Sequence, residues 1–506
     1  MTSILNNSTW KHLIVLFFVF TLFSLTVIGN VEGQNKFVLL SEQHWDTYGV
    51  GGTCDHGSND LYIADIDGDG AQEVIVGGFT YNIINGSRTP LQAPLTMWDW
   101  NGENFTLKSS CKWPGTIEVV YAADVDGDGA KEVITSGLFT NDSGTFSSLR
   151  VWHWSNDALT LETHYEGISI SSIFVSTLND KSVPGIFATG SFDADSQHAA
   201  QLFLLHLDGN TLVLDKSWKL DAANVASSNS VYASNLADGQ IEIFTAGYFG
   251  NLNSSAGQLC IWYLNGTTLS LKAHNEWQMH PGGYAPNIAG GILGNTVVNN
   301  LKVVDVDGNG VPEIVTGGFT YDGNKAEGQL RIWNWNGTLN LLSSREWTND
   351  DITEVLSVSL GNVDSDSSAE IVTGGMLAPY GSFNTNATNP DRGQVGVWSW
   401  NGKTLTLKES TDWTLAEGVS VWNVGTSDLN NDGKVEIVSC GCISFNRLCD
   451  PDMRVWTIME SAPHEVFSSL ALLLSAVIIA ILAFAVIIVL AIRRMFKANT
   501  VISTGR

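Results

Sequence analysis

The sequence is short of positive charge. Its 506 residues hold 25 Lys and Arg against 52 Asp and Glu, a formal net charge of −27. Residues 34–465 concentrate the imbalance, with 51 acids and 20 bases, whereas the last 14 residues carry four bases and no acid. A surface this acidic repels phosphate backbones, which excludes nucleic-acid binding. Charged residues make up only 15% of the chain, beside 50 glycines and 18 tryptophans, and that excludes a coiled coil or a disordered chain. The six cysteines contain no Cys-x-x-Cys pair, which argues against a zinc ribbon or a thioredoxin-like site. A Gly-x-Ser-x-Gly elbow, a phosphate loop and a Cys/His pairing are also missing, and the ten histidines show no metal-ligand spacing. With no catalytic constellation, the expectation is that the chain is not an enzyme. Acid without matching base, gathered in Asp-Gly clusters, points to metal ions as the counter-charge.

Long apolar runs are confined to the two ends. Residues 13–28 form an apolar run of 16, preceded by Lys11 and His12 and followed by Gly29 and Gly33, which reads as a signal peptide over 1–33. Residues 466–492 are 27 positions without a charge, followed by Arg493, Arg494 and Lys497. That pattern predicts one transmembrane helix with a short basic cytoplasmic tail, 493–506. The expected protein is single-pass type I at the plasma membrane, with 34–458 extracellular and 459–465 a juxtamembrane linker. Sequons beginning at Asn85, Asn104, Asn141, Asn253, Asn265, Asn336 and Asn386 fit an exported glycoprotein. Cysteine pairing is not readable from sequence, but Cys442 with Cys449 and Cys54 with Cys111 are candidate staples. Cys260 lies in a tryptophan-type strand, where a free buried thiol is the ordinary case.

One segment recurs. Asp65 opens DIDGDGAQEVIVGG, and the pattern returns at Asp124 (DVDGDGAKEVITSG), Asp305 (DVDGNGVPEIVTGG), Asn362 (NVDSDSSAEIVTGG) and Asp428 (DLNNDGKVEIVSCG). Worn copies begin at Thr177 (TLNDKSVPGIFATG) and near Asn235 (NLADGQIEIFTAG). A Trp-x-Trp strand or a relative of it keeps the same beat, at Trp98/Trp100, Trp152/Trp154, Trp333/Trp335 and Trp398/Trp400 among others. Residues two apart share one strand face, so each pair enters one packed layer. Asn-Gly or Asp-Gly follows in several copies and favours a type I′ hairpin turn. Each unit therefore reads as four short antiparallel strands carrying an acidic loop, which is a propeller blade. The chain opens on an outer strand at Lys36 and closes on a third strand near Trp456, so the two ends make one blade together. The expected fold is an all-β, seven-bladed propeller with four-stranded antiparallel blades, closed by the N-terminal strand in the last blade.

The spacing Asp-x-Asp-Gly-Asp-Gly-x-x-Glu has a chemical reading. Calcium takes six to eight hard oxygen ligands at roughly 2.3–2.6 Å. Carboxylates at loop positions 1, 3 and 5 converge when the chain curls, glycines at 4 and 6 permit the curl, and position 9 completes the shell. In the first copy these are Asp65, Asp67, Asp69 and Glu73, with the Ala71 carbonyl. An EF-hand needs Glu at position 12, where Val76 and Thr135 stand. The pattern resembles the FG-GAP (VCBS-type) repeats of integrin α-chain propellers, over roughly residues 36–458. The resemblance implies calcium ligands residue by residue: Asp124, Asp126, Asp128 and Glu132; Asp305, Asp307, Asn309 and Glu313; Asn362, Asp364, Asp366 and Glu370; Asp428, Asn430, Asp432 and Glu436. Position 9 departs from the family, with Glu where integrin loops usually carry Asp. About five Ca2+ sites are expected, the loops at Thr177 and Asn235 being too worn to bind.

The leading functional expectation is a membrane-anchored, calcium-stabilised extracellular recognition or adhesion propeller that binds a protein or glycan. The alternative is an exported carbohydrate-active enzyme or lectin on a calcium-binding propeller, and a structural envelope component comes third. Long loops spanning 46–60, 81–94, 278–300 and 376–392 are expected on the face opposite the acidic loops. Their Tyr48, His56, Tyr284 and Tyr380 are ligand-face candidates, since long loops on a rigid scaffold often carry function. Sixteen of the 18 tryptophans fall in the repeat register and are expected in the core.

Overall fold

The computed structural model describes residues 36–44 and 54–459, short of 85–86, 178–183, 193–199, 221–224, 236–239, 252–253, 279–295, 322–324, 349–351, 365, 367, 380–389, 416–417 and 446–447. It also describes the helical residues 485–486 and 488–494. One compact unit is Phe37–Met459; the other takes in 1–36 and 460–506.

In the first unit the regular structure among the described residues is 28 strands, β1 to β28 in chain order, in antiparallel meanders of four. Seven strands stand first in their meanders: β2 (Cys54–Ala64), β6 (Val119–Ala123), β10 (Ile168–Thr177), β14 (Val225–Asn235), β18 (Thr296–Val304), β22 (Ile352–Gly361) and β26 (Gly418–Ser427). The last meander has three strands of its own, and β1 (Lys36–His44) joins it as the fourth. The fold is an all-β propeller. Hydrogen bonding sorts the strands into five separate four-stranded sheets and one of eight strands, which corrects the expectation of seven separate blades to five. The physical reason is local. Ala326 and Ile352 meet in a single parallel bridge that fuses the meander beginning at β18 with the one beginning at β22.

Burial explains the strand patterns. Two second strands, Glu313–Tyr321 and Glu370–Ala378, are buried at every position, and the others begin buried, because neighbouring sheets cover both faces. The fourth strands, such as Phe105–Trp113, are mostly exposed or half-buried. Apolar side chains fill the space between consecutive sheets: Ile75, Leu95 and Met97 pack with Ile117, Val120, Val133 and Trp152 of the next one. Tryptophans knit the outer rim. Trp113 stacks on Trp152, Trp277 on Trp333, Trp347 on Trp398 and Trp413 on Trp456, at centroid separations of 4.5–5.1 Å. Each such pair contributes roughly 0.5–1.5 kcal/mol beyond its buried area. The indoles of Trp152, Trp262, Trp333 and Trp398 donate to Thr135, Thr245, Thr316 and Thr373 on the adjacent strand. These tryptophans are core, as their register implied.

Around the axis, side chains on the first strands tie one meander to the next. Asp60 accepts the Val120 amide at 2.7 Å, Ser172 the Val231 amide at 3.1 Å, Ser230 the Leu301 amide at 3.1 Å and Ser357 the Val424 amide at 3.2 Å. Asn423 donates from the last meander to Asp60 in the first, so the last first strand is tied to the first one. Asn431 Nδ2 adds a second closing bond, to the Gly70 carbonyl at 2.7 Å.

Several expectations need correcting. His56 belongs to strand β2 rather than to a loop, and its side chain lies outside the described residues. Tyr48, Tyr284 and Tyr380 lie outside them altogether. Much of 81–94 is strand, because the hairpin between Glu73–Ile84 and Ser87–Trp100 extends the sheet. Cys111 is a free thiol, so the proposed bond to Cys54 is absent. Cys260 is free and buried, and Cys442 is disulfide-bonded to a partner whose side chain is not described. Most of 466–492 also falls outside the described residues, and among those described no helix is long and apolar enough to cross a membrane.

Asp60 serves two neighbours at once, so its loss leaves the Val120 amide and the Asn423 amide group without an acceptor. Asp60→Ala should cost roughly 2–3 kcal/mol of stability, against about 1 kcal/mol for Ser357→Ala. Denaturant titration of both variants measures the difference, and equal losses would contradict a closing role for Asp60.

Candidate metal centres

Each acidic loop joins the first strand of a meander to the second. Position 9 is the first residue of that second strand, where it is nearly inaccessible: Glu73, Glu132, Glu313, Glu370 and Glu436 are 0–4% exposed. In all five, one carboxylate oxygen accepts the backbone amide of position 2, from Ile66, Val125, Val306, Val363 and Leu429, at 2.7–3.2 Å. This explains the glutamate. A carboxylate on the longer arm spans the loop from inside the sheet, and one oxygen is then committed to the backbone.

The remaining carboxylates curl the loop. Asp124 accepts the Gly127 and Gly129 amides, Asp305 those of Asn309 and Gly310, and Asp428 those of Asp432 and Gly433. Gly127 and Gly129 adopt φ of 85° and 93°, where a side chain is strained. Three carboxylates come within 4.8 Å of one another in four loops: Asp65, Asp67 and Glu73; Asp124, Asp126 and Glu132; Asp305, Asp307 and Glu313; Asp364, Asp366 and Glu370. These buried acidic clusters could hold a metal ion. Position 5 is left out of the first three triplets; Asp69, Asp128 and Asn309 turn back to accept the amides of Ala71, Ala130 and Val311. Asn362 directs Nδ2 to the Asp366 carbonyl at 2.6 Å. The set at Asp428 forms no such triplet among the described residues, since Asn430 stands where a third carboxylate is needed. The loop at Thr177 runs into undescribed residues, and the carboxylate of Glu242 in the next copy accepts the Trp335 indole.

Two clusters contain a lysine that sequence reasoning missed. Lys108 Nζ lies 3.3 Å from Glu73, 3.8 Å from Asp69 and 3.1 Å from Asp99, and pairs most closely with Asp67. Lys408 Nζ lies 2.5 Å from Asp364, 3.1 Å from Asp366 and 2.8 Å from Glu370. Both come from fourth strands at the same irregularity. Trp98 faces Leu107 while Met97 faces Ser109, leaving Lys108 as the extra residue of a bulge, and Lys408 is left over in the same way. A bulge turns one side chain out of alternation, here toward the loop. In the second meander the bulge residue is Glu162, which lines a cavity of about 470 Å³ with Asp126, Asp128, Glu132 and His153. A signal was present: Lys108 and Lys408 each stand seven residues after the Asn of an Asn-Gly turn, Asn101 and Asn401.

Burial dominates at position 9 with or without a lysine: the Glu370 carboxyl, beside Lys408, is raised by burial and by Asp364 and Asp366. Burial pushes the Glu132 carboxyl up to about 7, with Asp126, Asp128 and Asp124 adding to the rise and the Val125 amide opposing it. Burial also raises Glu162, again with help from Asp126 and Asp128. Lys408 is held in its charged form by the carboxylates around it, which outweigh its own burial.

No protein-family model matches the sequence, and no curated protein is significantly similar to it, so the resemblance to FG-GAP repeats rests on the loops alone. Similar solved structures include the Dos1 propeller, at 10% identity over 83% of this chain and 95% of that one, with a TM-score of 0.43. The exotype rhamnogalacturonan lyase YesX matches at 12% identity over 83% and 75%, TM-score 0.42. The Penicillium chrysogenum α-L-arabinanase in its arabinobiose complex matches at 9% over 66% and 92%, TM-score 0.38. The expectation that the chain is not an enzyme is withdrawn, a rhamnogalacturonan lyase and an arabinanase standing among the similar structures. At such identities no activity is carried over, and the fold assignment rests on the chain's own strand order: this is a β-propeller.

Glu132 supplies a pH test. Its folded pKa of about 7 lies above the ordinary 4.5. Its contribution to stability is therefore complete below pH 4.5 and is lost as pH rises through about 7. In chelator, the melting temperature should fall between about pH 5 and about pH 8, and Glu132→Gln should flatten that fall. A Glu132→Gln melt with an undiminished pH slope would contradict charge crowding in this loop.

Proposed function

We propose that the chain is a divalent-cation-stabilised β-propeller that recognises carbohydrate outside the cell. The observation that carries the cation is the gathering of carboxylates in loops where, among the described residues, no lysine forms an ion pair with them. Hard oxygen donors in a curled loop suit Ca2+. The residues that would hold it are Asp124, Asp126 and Asp128 with Glu132, and Asp305, Asp307 and Asn309 with Glu313. A third set is Asp428, Asn430 and Asp432 with Glu436. In the sets Asp65, Asp67, Asp69 and Glu73, and Asn362, Asp364, Asp366 and Glu370, a lysine already supplies the positive charge. The expected number of bound ions therefore drops from five to three. We read the fused eight-stranded sheet as two blades in register with the others, for seven in all. The apolar and basic segments at the chain ends support a type I plasma-membrane placement.

Carbohydrate is favoured over a protein ligand by the axial channel, where aromatic rings stand beside amide and hydroxyl side chains. Glycan arrays and polysaccharide digests of the full chain, with and without calcium, test the reading. Turnover would place it with carbohydrate-active enzymes, binding alone with lectins, and neither would defeat it.

Cation binding has its own test. Removing calcium with a chelator should lower the melting temperature, by the mass-action stabilisation that a native-state ligand provides. Elemental analysis of the reloaded protein should give three ions, and Lys108→Met should add one. A chelator-insensitive melt would overturn the cation reading, and five ions with both lysines in place would overturn the lysine assignment.

A further inference from the structure

The seven first strands surround an axial cavity of about 490 Å³, a size at which pockets take small organic ligands. One register position recurs around its wall, the residue facing the third position of the second strand, or the fourth in the strands that begin at Pro184 and Ile241. In the first four meanders it is aromatic: Tyr62 opposite Ile75, Tyr121 opposite Ile134, Phe174 opposite Phe187 and Tyr232 opposite Phe244. In the remaining three it is Lys302, Ser359 and Gly425. All seven line the cavity. The four rings form a continuous arc, with successive centroids 4.6, 6.3 and 4.5 Å apart and tilts of 49–59°. Lys302 follows directly, and Ser359 and Gly425 complete the ring, Gly425 being closed against Leu61 and Ile63 of the first meander.

Lys302 is accessible from the channel, and among the described residues it has no ion-pair partner. Its enclosure lowers its pKa, a shift that nearby Asp60 opposes. Asp60 does not pair with it directly, since its two oxygens accept Val120, Leu61 and Asn423. The other acid on the wall, Glu118, stands three residues before Tyr121, toward the other end of the first strands. An ammonium open to the channel, with no ion-pair partner among the described residues, is matched by an anion of suitable shape.

We propose that the channel binds an acidic sugar, with the C–H face of the ring on the Tyr62–Tyr121–Phe174–Tyr232 arc and the carboxylate on Lys302. The tilts favour a puckered ring over a flat aromatic acid, because the arc is a curved shelf and not a pair of parallel jaws. Ser171 and Ser359 offer hydroxyl partners on the same wall. The inference rests on the recognition reading above and does not depend on the cation loops.

The test is calorimetric titration of the full chain with glucuronate, galacturonate and N-acetylneuraminate, and with glucose and galactose as neutral controls. At least one acidic sugar should bind, and the neutral sugars should bind about tenfold more weakly or worse, the worth of one charge-assisted contact. Lys302→Met should lose a similar factor with an unchanged melt, while Lys302→Arg retains binding and Tyr232→Ala weakens it. Failure of all three acids to bind, equal affinity for acidic and neutral sugars, or full binding by Lys302→Met would overturn the proposal. So would equal binding of benzoate. Glycan-array binding that survives Lys302→Met would sink the channel site and leave the broader recognition reading standing; no glycan binding at all would remove both.

Discussion

A buried carboxylate reaching back to its own loop is the interaction on which the repeat is built. At the start of five second strands a glutamate with almost no solvent access accepts the amide two residues into the loop before it. That bond sets where the loop ends and the strand begins. It also brings a negative charge into the sheet edge, beside two or three more from the same loop. Burying an uncompensated carboxylate is costly, and crowding like charges adds to the cost. Each loop therefore needs positive charge from somewhere, and the way it is supplied separates one blade from another.

The bulge on the fourth strand is where that choice is made. The strand carries one extra residue, which leaves the alternation and turns toward the loop. Lysine there completes an ionic cage inside the protein, as Lys108 and Lys408 do. Glutamate there, Glu162, deepens the negative well instead. Where the loop is worn the bulge residue is engaged locally: Lys272 sits over the Tyr263 ring and Asp215 pairs with His206. Loop and bulge thus vary together, though they lie some 35 residues apart in sequence, as from Glu73 to Lys108.

What the sequence made legible were features that repeat in composition. The Asp-Gly loops and the tryptophan strands announce themselves because every copy needs the same curl and the same rim packing. Lys108 and Lys408 were overlooked because an extra residue in a strand looks like ordinary alternation until the pairing partner is known. The axial register was hidden for the opposite reason. Tyr62, Phe174, Lys302 and Gly425 share one structural position but no chemistry, so no pattern search aligns them. Free Cys111 shows the weakness of arguing from nearness in a blade: a half-buried thiol, its pKa pushed up to about 12 by burial, is a stable outcome without a partner. Fusion of two sheets turned on one bridge, Ala326 to Ile352, that no composition encodes.

Specialisation runs around the ring. The third and fourth meanders have lost their acidic loops, and their first strands supply Phe174 and Tyr232, whose rings lie 4.5 Å apart on the channel wall. The next meander keeps a triplet of carboxylates at one end of its first strand and places Lys302 on the channel side of the same strand. Opposite charges thus sit a few residues apart on one strand, kept from neutralising each other because they face different spaces. The inter-blade bonds of Asp60, Ser172, Ser230 and Ser357 hold those spaces apart, since at four of the junctions they fix one first strand against the next independently of what its loop contains. A loop can therefore decay, or exchange a cation for a lysine, without disturbing the wall of the channel. That independence lets one repeat serve as scaffold in some blades and as the wall of a binding site in others.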